Sequence, residues 1–387
     1  MSDGKEEGLN IQEDLLKEFD VYDTTVDIVC CWEAFINHSY DGKIDSYYFD
    51  RFPHISHPEG YDGDLTPDFT ICFNQEYAII GEIKRTFPEE DEHFQNEMEQ
   101  ILTYDNSLQV EMGDGSEGTP ETIDILLLIE GTDAPQISHR INELREEKII
   151  EFDNNFLMFR YNFNQTSTIS RYEFQKVIEA SDFFRDDTIP DDVSLSNKFD
   201  EERKTAKVYP KHFRDVKFEK PICNDSPPPI YLATILWHKL FANQISNSEY
   251  REWQWGSAQK TKLFTVEPYE FTRKVNNRFK ECDGEIRVRW IKEAFNFLCE
   301  ADLADYNHEE ETYEIKYRDF NIRIGEEESY QDGLNFRKEC KELTYKLSNR
   351  YEKKIQEKKE KPEREAEGEY EEETEDEAQS SLTDFNC

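Results

Sequence analysis

The stretch from Thr66 to Tyr104 gathers the side chains of this chain best able to do chemistry. It reads T-P-D-F-T-I-C-F-N-Q-E-Y-A-I-I-G-E-I-K and continues, after a polar interval, to Q-I-L-T-Y at Gln100 to Tyr104. Two apolar, β-branched runs, Phe69 to Phe73 and Tyr77 to Ile83, flank the polar N-Q-E, which predicts a short hairpin. A turn centred on Gln75 sets Phe73 opposite Tyr77, Phe69 opposite Gly81 and Asp68 opposite Glu82. Opposed residues share a face, with Cβ atoms about 5 Å apart. Lys84 shares the face of Glu82, because strand side chains alternate. Asp68, Glu82 and the Ile83 carbonyl then make a hard-oxygen set of the kind Mg²⁺ or Mn²⁺ takes. A metal held there polarises a phosphoryl oxygen and lowers the pKa of a bound water. Lys84 would orient that water and stabilise the charge developing in the transition state. The substrate that suits such a site is a phosphodiester.

Glu-x-Lys triplets also arise by chance in a chain with 34% charged residues. Glu314-Ile315-Lys316 is one, in a plausible strand with no Pro-Asp pair a hairpin's length upstream. Pro190-Asp191 with Glu202-Arg203-Lys204 is another, in a stretch too polar to form a strand. Only at Asp68 to Lys84 do prefix, hairpin and triplet occur together.

Pro67-Asp68 followed by Glu82-Ile83-Lys84 resembles the PD-(D/E)xK signature of the restriction-endonuclease-like nucleases. Gln100 to Tyr104 is similar to the Q-x-x-x-Y motif of their RecB-like branch, and the resemblance spans roughly residues 20 to 165. It implies DNA cleavage with a divalent metal, and it implies that Gln100 and Tyr104 lie beside the scissile strand. It also implies a further carboxylate from a helix before the hairpin. Glu13 and Glu33 are the candidates, and Glu33 is preferred because a carboxylate within V-C-C-W-E-A-F needs a reason to be there. Some members hold an iron–sulfur cluster, but no closely spaced cysteine group follows Tyr104, so none is expected.

The surrounding elements suit that fold. An amphipathic helix is predicted over 90–107, with Gln100 and Tyr104 on one face, which Glu97 and His93 continue. A Gly-rich loop spans Gly113 to Gly118. Thr122 to Glu130 reads as a strand buried on both faces, the parallel-sheet type. A helix over Pro135 to Lys148 and a strand over Phe156 to Phe163 follow. The fold class expected is α/β, a restriction-endonuclease-like core with a mixed central sheet flanked by helices. His54 and His57 form a loop pair without a third ligand and carry no metal assignment.

Asp and Glu total 87 against 46 Lys and Arg, a formal net charge of −41. That balance is opposite to the basic footprint expected of a DNA binder. A high-salt origin, charge concentrated away from the binding face, or a nucleic-acid mimic each account for it. The first is preferred, because the body stays acidic without its Glu/Asp-rich end. No run of apolar residues is long enough to span a membrane. The acidic start lacks an apolar signal region, which predicts an intracellular, cytoplasmic protein. The eight cysteines form no C-x-x-C pairs, against zinc or disulfide frameworks.

Residues 171–229 lose hydrophobic periodicity and read as a connector between a nuclease unit (1–170) and a second unit (230–345); 346–387 reads as a disordered acidic tail. The second unit has apolar helices over Tyr231 to Gln244 and Val288 to Ala301. Between them Thr265 is an expected N-cap for a helix to Phe279, and a strand follows over Thr312 to Phe320. Three helices and a β-wing resemble a winged helix-turn-helix. Arg273, Lys274, Arg278, Arg287, Arg289 and Lys292, with Lys280, concentrate positive charge there. Such a cluster suits phosphate contacts to DNA. Winged helices also dock proteins, so a second copy or a protein partner is the other occupant expected there. The reading is a Mg²⁺-dependent deoxyribonuclease with a DNA-targeting unit. The alternative is a catalytically silent nuclease-fold module that binds DNA or protein.

Overall fold

The computed structural model describes residues 11–44, 46–55, 65–73, 75–88, 90–165, 170–200, 204–209, 212–213, 226–241, 261–278, 286–318 and 340–358. The first described element is α1 (Ile11–Tyr40), one helix of 30 residues that carries both Glu13 and Glu33, with no Gly or Pro to interrupt it. Then come β1 (Tyr47–Arg51), β2 (Phe69–Phe73), β3 (Tyr77–Lys84), α2 (Asp91–Leu102), the small pair β4 (Val110–Glu111) and β5 (Glu117–Gly118), and β6 (Thr122–Glu130). They continue through α3 (Ala134–Glu146), β7 (Asn155–Gln165), β8 (Ser170–Lys176), α4 (Leu195–Phe199) and β9 (Ala206–Val208).

The strands β1-β2-β3-β6-β7-β8-β9 form one mixed sheet in that order. β3, β6 and β7 run parallel at its centre and the other pairs are antiparallel. The T-I-D-I-L-L-L-I-E run is β6, paired on both edges and buried on both faces, which is why it reads as continuous apolar sequence. On one face Ile80, Leu127 and Met158 pack with Phe94, Met98 and Ile101 of α2 and Ile137 and Ile141 of α3. On the other, Phe69, Ile79 and Phe159 pack with the second half of α1, around Trp32. The fold is mixed α/β, a large sheet flanked by helices.

The stretch expected to be a connector instead adds two strands and a short helix. Its β8 alternates buried Tyr172 and Phe174 with Arg171, Glu173 and Gln175, the period-two pattern of a strand. Two of its acids are structural. Asp182 accepts the Phe156 N–H at 3.0 Å. Buried Asp186 accepts the Ser196 N–H at 3.1 Å and also the Leu195 N–H. Carboxylates that satisfy buried backbone donors look, in sequence, like a solvated charge run.

After residue 226 come α5 (Pro229–Ile235), continued by a π-helical turn Leu236–Phe241, then β10 (Thr261–Val266), α6 (Pro268–Arg278), α7 (Val288–Glu300), β11 (Ala304–Asn307) and β12 (Thr312–Arg318). An eighth helix, α8, covers residues 340–358. The three strands pair antiparallel in the order β10-β12-β11. Thr265 lies within β10 and is not a cap. Glu267 performs that role, its carboxylate accepting the Tyr269 N–H at 2.9 Å. Residues 346–358, expected in the tail, are helical because Cys340, Leu343 and Leu347 recur at helical spacing and are buried. The acidic run from Glu363 to Glu377 lies outside the described residues. α1 packs directly on α5, with Phe19 and Tyr22 at 5.3 and 4.5 Å from the Tyr231 ring. The main hydrophobic cluster is therefore continuous from α1 to α7. Among the described residues no helix is long and apolar enough to cross a membrane.

Candidate active site

The β2–β3 hairpin has the predicted register: Phe73 faces Tyr77, Phe69 faces Gly81, and Gln75 turns the chain with φ 63°. Gly81 suits this position, because a Cβ there would lie 2.1 Å from the Phe69 ring and force it to shift. Asp68 extends the pairing, its N–H donating to the Gly81 carbonyl at 3.0 Å. Its Oδ2 accepts the Ile83 N–H at 2.7 Å, so the carboxylate is tied to β3 beside Glu82. A strand residue directs its N–H and C=O to the same side, so the Ile83 carbonyl also faces the β2 edge.

Glu82 is 5% exposed and lies within a chain of side chains from α2. Lys84 Nζ sits 3.3 Å from Glu82 Oε1 and 3.1 Å from Glu97 Oε2. Glu82 Oε2 accepts the Tyr104 hydroxyl proton at 3.0 Å, and Gln100 Nε2 donates to the Tyr104 oxygen at 3.1 Å. Burial works to lower the Lys84 pKa, but Glu82 and then Glu97 outweigh it and the net shift is upward. Burial, followed by the Glu82 charge, drives the Tyr104 phenol far above its ordinary value. Tyr104 is not on the α2 helix. That helix ends at Leu102, the Thr103 hydroxyl donates to the Gln100 carbonyl at 2.6 Å, and the Asp105 side chain turns the chain at Ser107. Tyr104 is fully buried beneath the site, so its hydroxyl serves Glu82 and faces no open surface.

Asp68, Glu82, Ile83 and Lys84 open onto a cleft of about 700 Å³ whose far wall is the first half of α1, including Asp14, Lys17, Glu18 and Tyr22. The structure thus brings Asp68, Glu82, Ile83, Lys84, Gln100 and Tyr104 together. Glu33 is not with them. Its carboxylate is ion-paired to the buried Arg51 of β1, and it lies about 22 Å further along α1 than Glu18, taking about 1.5 Å per residue. The reason for a carboxylate in V-C-C-W-E-A-F is Arg51. Glu18 and Asp14 are not singled out by the sequence, and Glu97 is placed there on the Gln100 face without its contact to Lys84. The only signal for the first two is the helical stripe Asp14, Glu18, Val21, Tyr22 and Thr25, which all line the cleft.

The donors suit a hard divalent ion that keeps waters: two carboxylates side by side, a backbone carbonyl on the same edge, and Glu18 across the cleft. Among the described residues no group of three or more His, Cys, Asp or Glu side chains is gathered as a metal cage. His54 joins no such group, and His57 lies outside the described residues. The competing triplet at Glu314 is spoken for, since Lys316 is bound to Asp302 and Asp305 at 3.1 and 2.8 Å.

In the C-terminal unit Arg273 and Lys274 are exposed on α6, and Arg287, Arg289 and Lys292 are exposed at the start of α7. Arg273 pairs with Glu270 at 2.9 Å and Arg289 with Glu293 at 2.7 Å, exposed pairs that contribute little to stability. Arg287 stacks over Trp290 at 5.4 Å. The side chain of Arg278 and residue Lys280 lie outside the described set.

The chain matches no protein-family model, no curated protein and no solved structure.

Proposed function

We propose that this protein is a metal-dependent nuclease of the PD-(D/E)xK type that hydrolyses phosphodiester bonds of DNA. One observation carries the reading: Asp68, Glu82 and Lys84 meet at the mouth of a cleft while Tyr104 and Gln100 brace Glu82 from beneath. Two sequence motifs that resemble one family are thereby joined by a hydrogen bond. A mere charged hairpin would not need a buried tyrosine aimed at its glutamate.

Asp68 and Glu82, with the Ile83 carbonyl, would hold Mg²⁺ or Mn²⁺. The ion supplies a polarised phosphoryl oxygen and an acidified water. Asp68 is held in place by the Ile83 N–H and Glu82 by Tyr104, so neither carboxylate must be ordered at the moment of reaction. Lys84, kept cationic by Glu82 and Glu97, is set to stabilise charge developing on the phosphoryl oxygens.

The C-terminal unit supports a winged-helix reading through its order of helix, strand, two helices and hairpin, with the first strand paired to the last. Exposed Arg273, Lys274, Arg287, Arg289 and Lys292 would then take phosphates of duplex DNA.

The test is cleavage of linear, circular and single-stranded DNA with Mg²⁺ or Mn²⁺, over a range of salt, by the wild type and by folded Glu82→Ala and Lys84→Ala variants. Metal-dependent cleavage by the wild type alone is expected. Cleavage in excess EDTA, or by both variants, refutes the assignment. DNA binding without cleavage under every condition turns the reading to a silent nuclease-fold module.

A further inference from the structure

A second cavity, of about 540 Å³, lies between α3 and the end of β8, apart from the cleft at Asp68. It lies on the same face of the sheet as Lys84. The register aligns Lys84 with Ile129, Ile129 with Arg160 and Arg160 with Gln175. Strands are spaced about 4.8 Å apart, so Arg160 is roughly 10 Å along the sheet from Lys84. Lys84 ends β3, and Arg160, midway along β7, lies level with the carboxyl ends of β3 and β6, where open α/β sheets bind ligands.

The lining is unusual for so acidic a chain. Arg160 Nε and Nη2 donate to Gln175 Oε1 at 3.2 and 2.6 Å, and no carboxylate partners Arg160 among the described residues. Arg51, Arg85, Arg140, Arg145, Arg171, Arg273, Arg289 and Arg350 are each paired with an acid. Gln175 orients the guanidinium without neutralising it, and the guanidinium keeps other N–H groups for a ligand. Ser138 also lines the cavity. It is 6% exposed, and its hydroxyl has no hydrogen-bond partner among the described residues. That oxygen is reached by solvent from the cavity, so it stands open to a ligand there. The lysine of the wall, Lys176, is committed to Asp200, and the acid, Glu179, is exposed. Pro135 and Ile178 add an apolar rim.

We infer that this cavity is a nucleotide subsite in which Arg160 and Ser138 take a phosphate group. Guanidinium and hydroxyl match phosphate oxygens, the volume falls in the range of small-ligand sites, and the apolar rim suits a base or sugar. The nucleotide is either free or the residue of a strand that also reaches the cleft. The choice of ligand class rests on the nuclease reading; the cavity and its unpaired groups do not.

The test is equilibrium binding by the full chain in EDTA, where no cleavage intervenes. Calorimetry with dAMP, deoxyadenosine and inorganic phosphate forms one arm, and anisotropy with a single-stranded oligonucleotide forms the other. Ser138→Ala, a better helix former, and Arg160→Gln, which keeps a polar side chain, are compared with the wild type after matching their thermal melts. Binding of dAMP over deoxyadenosine, weakened about tenfold or more by each substitution, identifies a free nucleotide. Oligonucleotide binding weakened likewise, with dAMP inert, identifies the strand. Absence of binding in both arms, or binding unmoved by either substitution, overturns the subsite. Cleavage is scored separately. A nuclease lacking this binding loses only the subsite, and a non-cleaving chain that retains it loses only the nuclease reading.

Discussion

Tyr104→Phe separates two roles for the Q-x-x-x-Y motif. The family resemblance implies contact with the scissile strand, whereas the structure gives the tyrosine to Glu82. Its hydroxyl is 3.0 Å from Glu82 Oε2, receives Gln100 at 3.1 Å, and belongs to a fully buried side chain. The substitution removes one oxygen atom and leaves the ring packed. A hydrogen bond to a charged group contributes about 1.5–3 kcal/mol. Glu82 is nearly buried and has little water to replace the lost donor. If the carboxylate loses that much of its orientation in the transition state, turnover should fall roughly 10- to 150-fold. DNA affinity should be unchanged, because a side chain with no exposed surface cannot touch the strand. Single-turnover cleavage at saturating DNA gives the first quantity, and anisotropy in Ca²⁺ without turnover gives the second. Weakened DNA binding with turnover intact would refute the positioning role.

Three further outcomes are expected. Burial raises the Asp124 carboxyl from 3.8 to about 6, against the opposing pull of the Arg185 N–H and the Tyr77 hydroxyl. Between those values the folded chain keeps a proton that the unfolded chain has released. This contribution is therefore full below pH 3.8 and is lost as pH rises through about 6, about 3 kcal/mol in all. Asp124→Asn should flatten that slope in urea unfolding, and parallel pH curves for the two proteins would count against it. Gly81→Ala should destabilise by about 1–3 kcal/mol, because the new methyl meets Phe69, whose ring is stacked on Phe49 at 5.3 Å and on Trp32 at 6.2 Å. An unfolding midpoint equal to wild type would remove the close approach. Replacing Arg287 and Arg289 with alanine should weaken duplex binding and reduce its salt slope by about one per lost phosphate contact, with turnover at saturating DNA retained. An unchanged slope would point to protein docking at α7.

The hairpin, and which of its side chains share a face, were legible in sequence because everything that specifies them is local. Alternation fixes which side chains share a face, N-Q-E sets the turn, and Gly81 opposite Phe69 leaves one register in which the ring fits. The doubly buried β6 was equally plain, since continuous apolar residues have few other uses. What distant segments contribute was not legible. Glu18 reaches the cleft only because an unbroken α1 overhangs the end of β3, and Glu33 misses it because Arg51 claims its carboxylate from a strand no local pattern announced. Glu97 meets Lys84 from α2 and Tyr104 meets Glu82 from the turn that follows it, and no one-dimensional spacing encodes either contact. The polar stretch after Arg171 misled for the same reason. A carboxylate that caps a buried backbone N–H and one that faces water are the same letter, and only the tertiary fold decides which donors it meets.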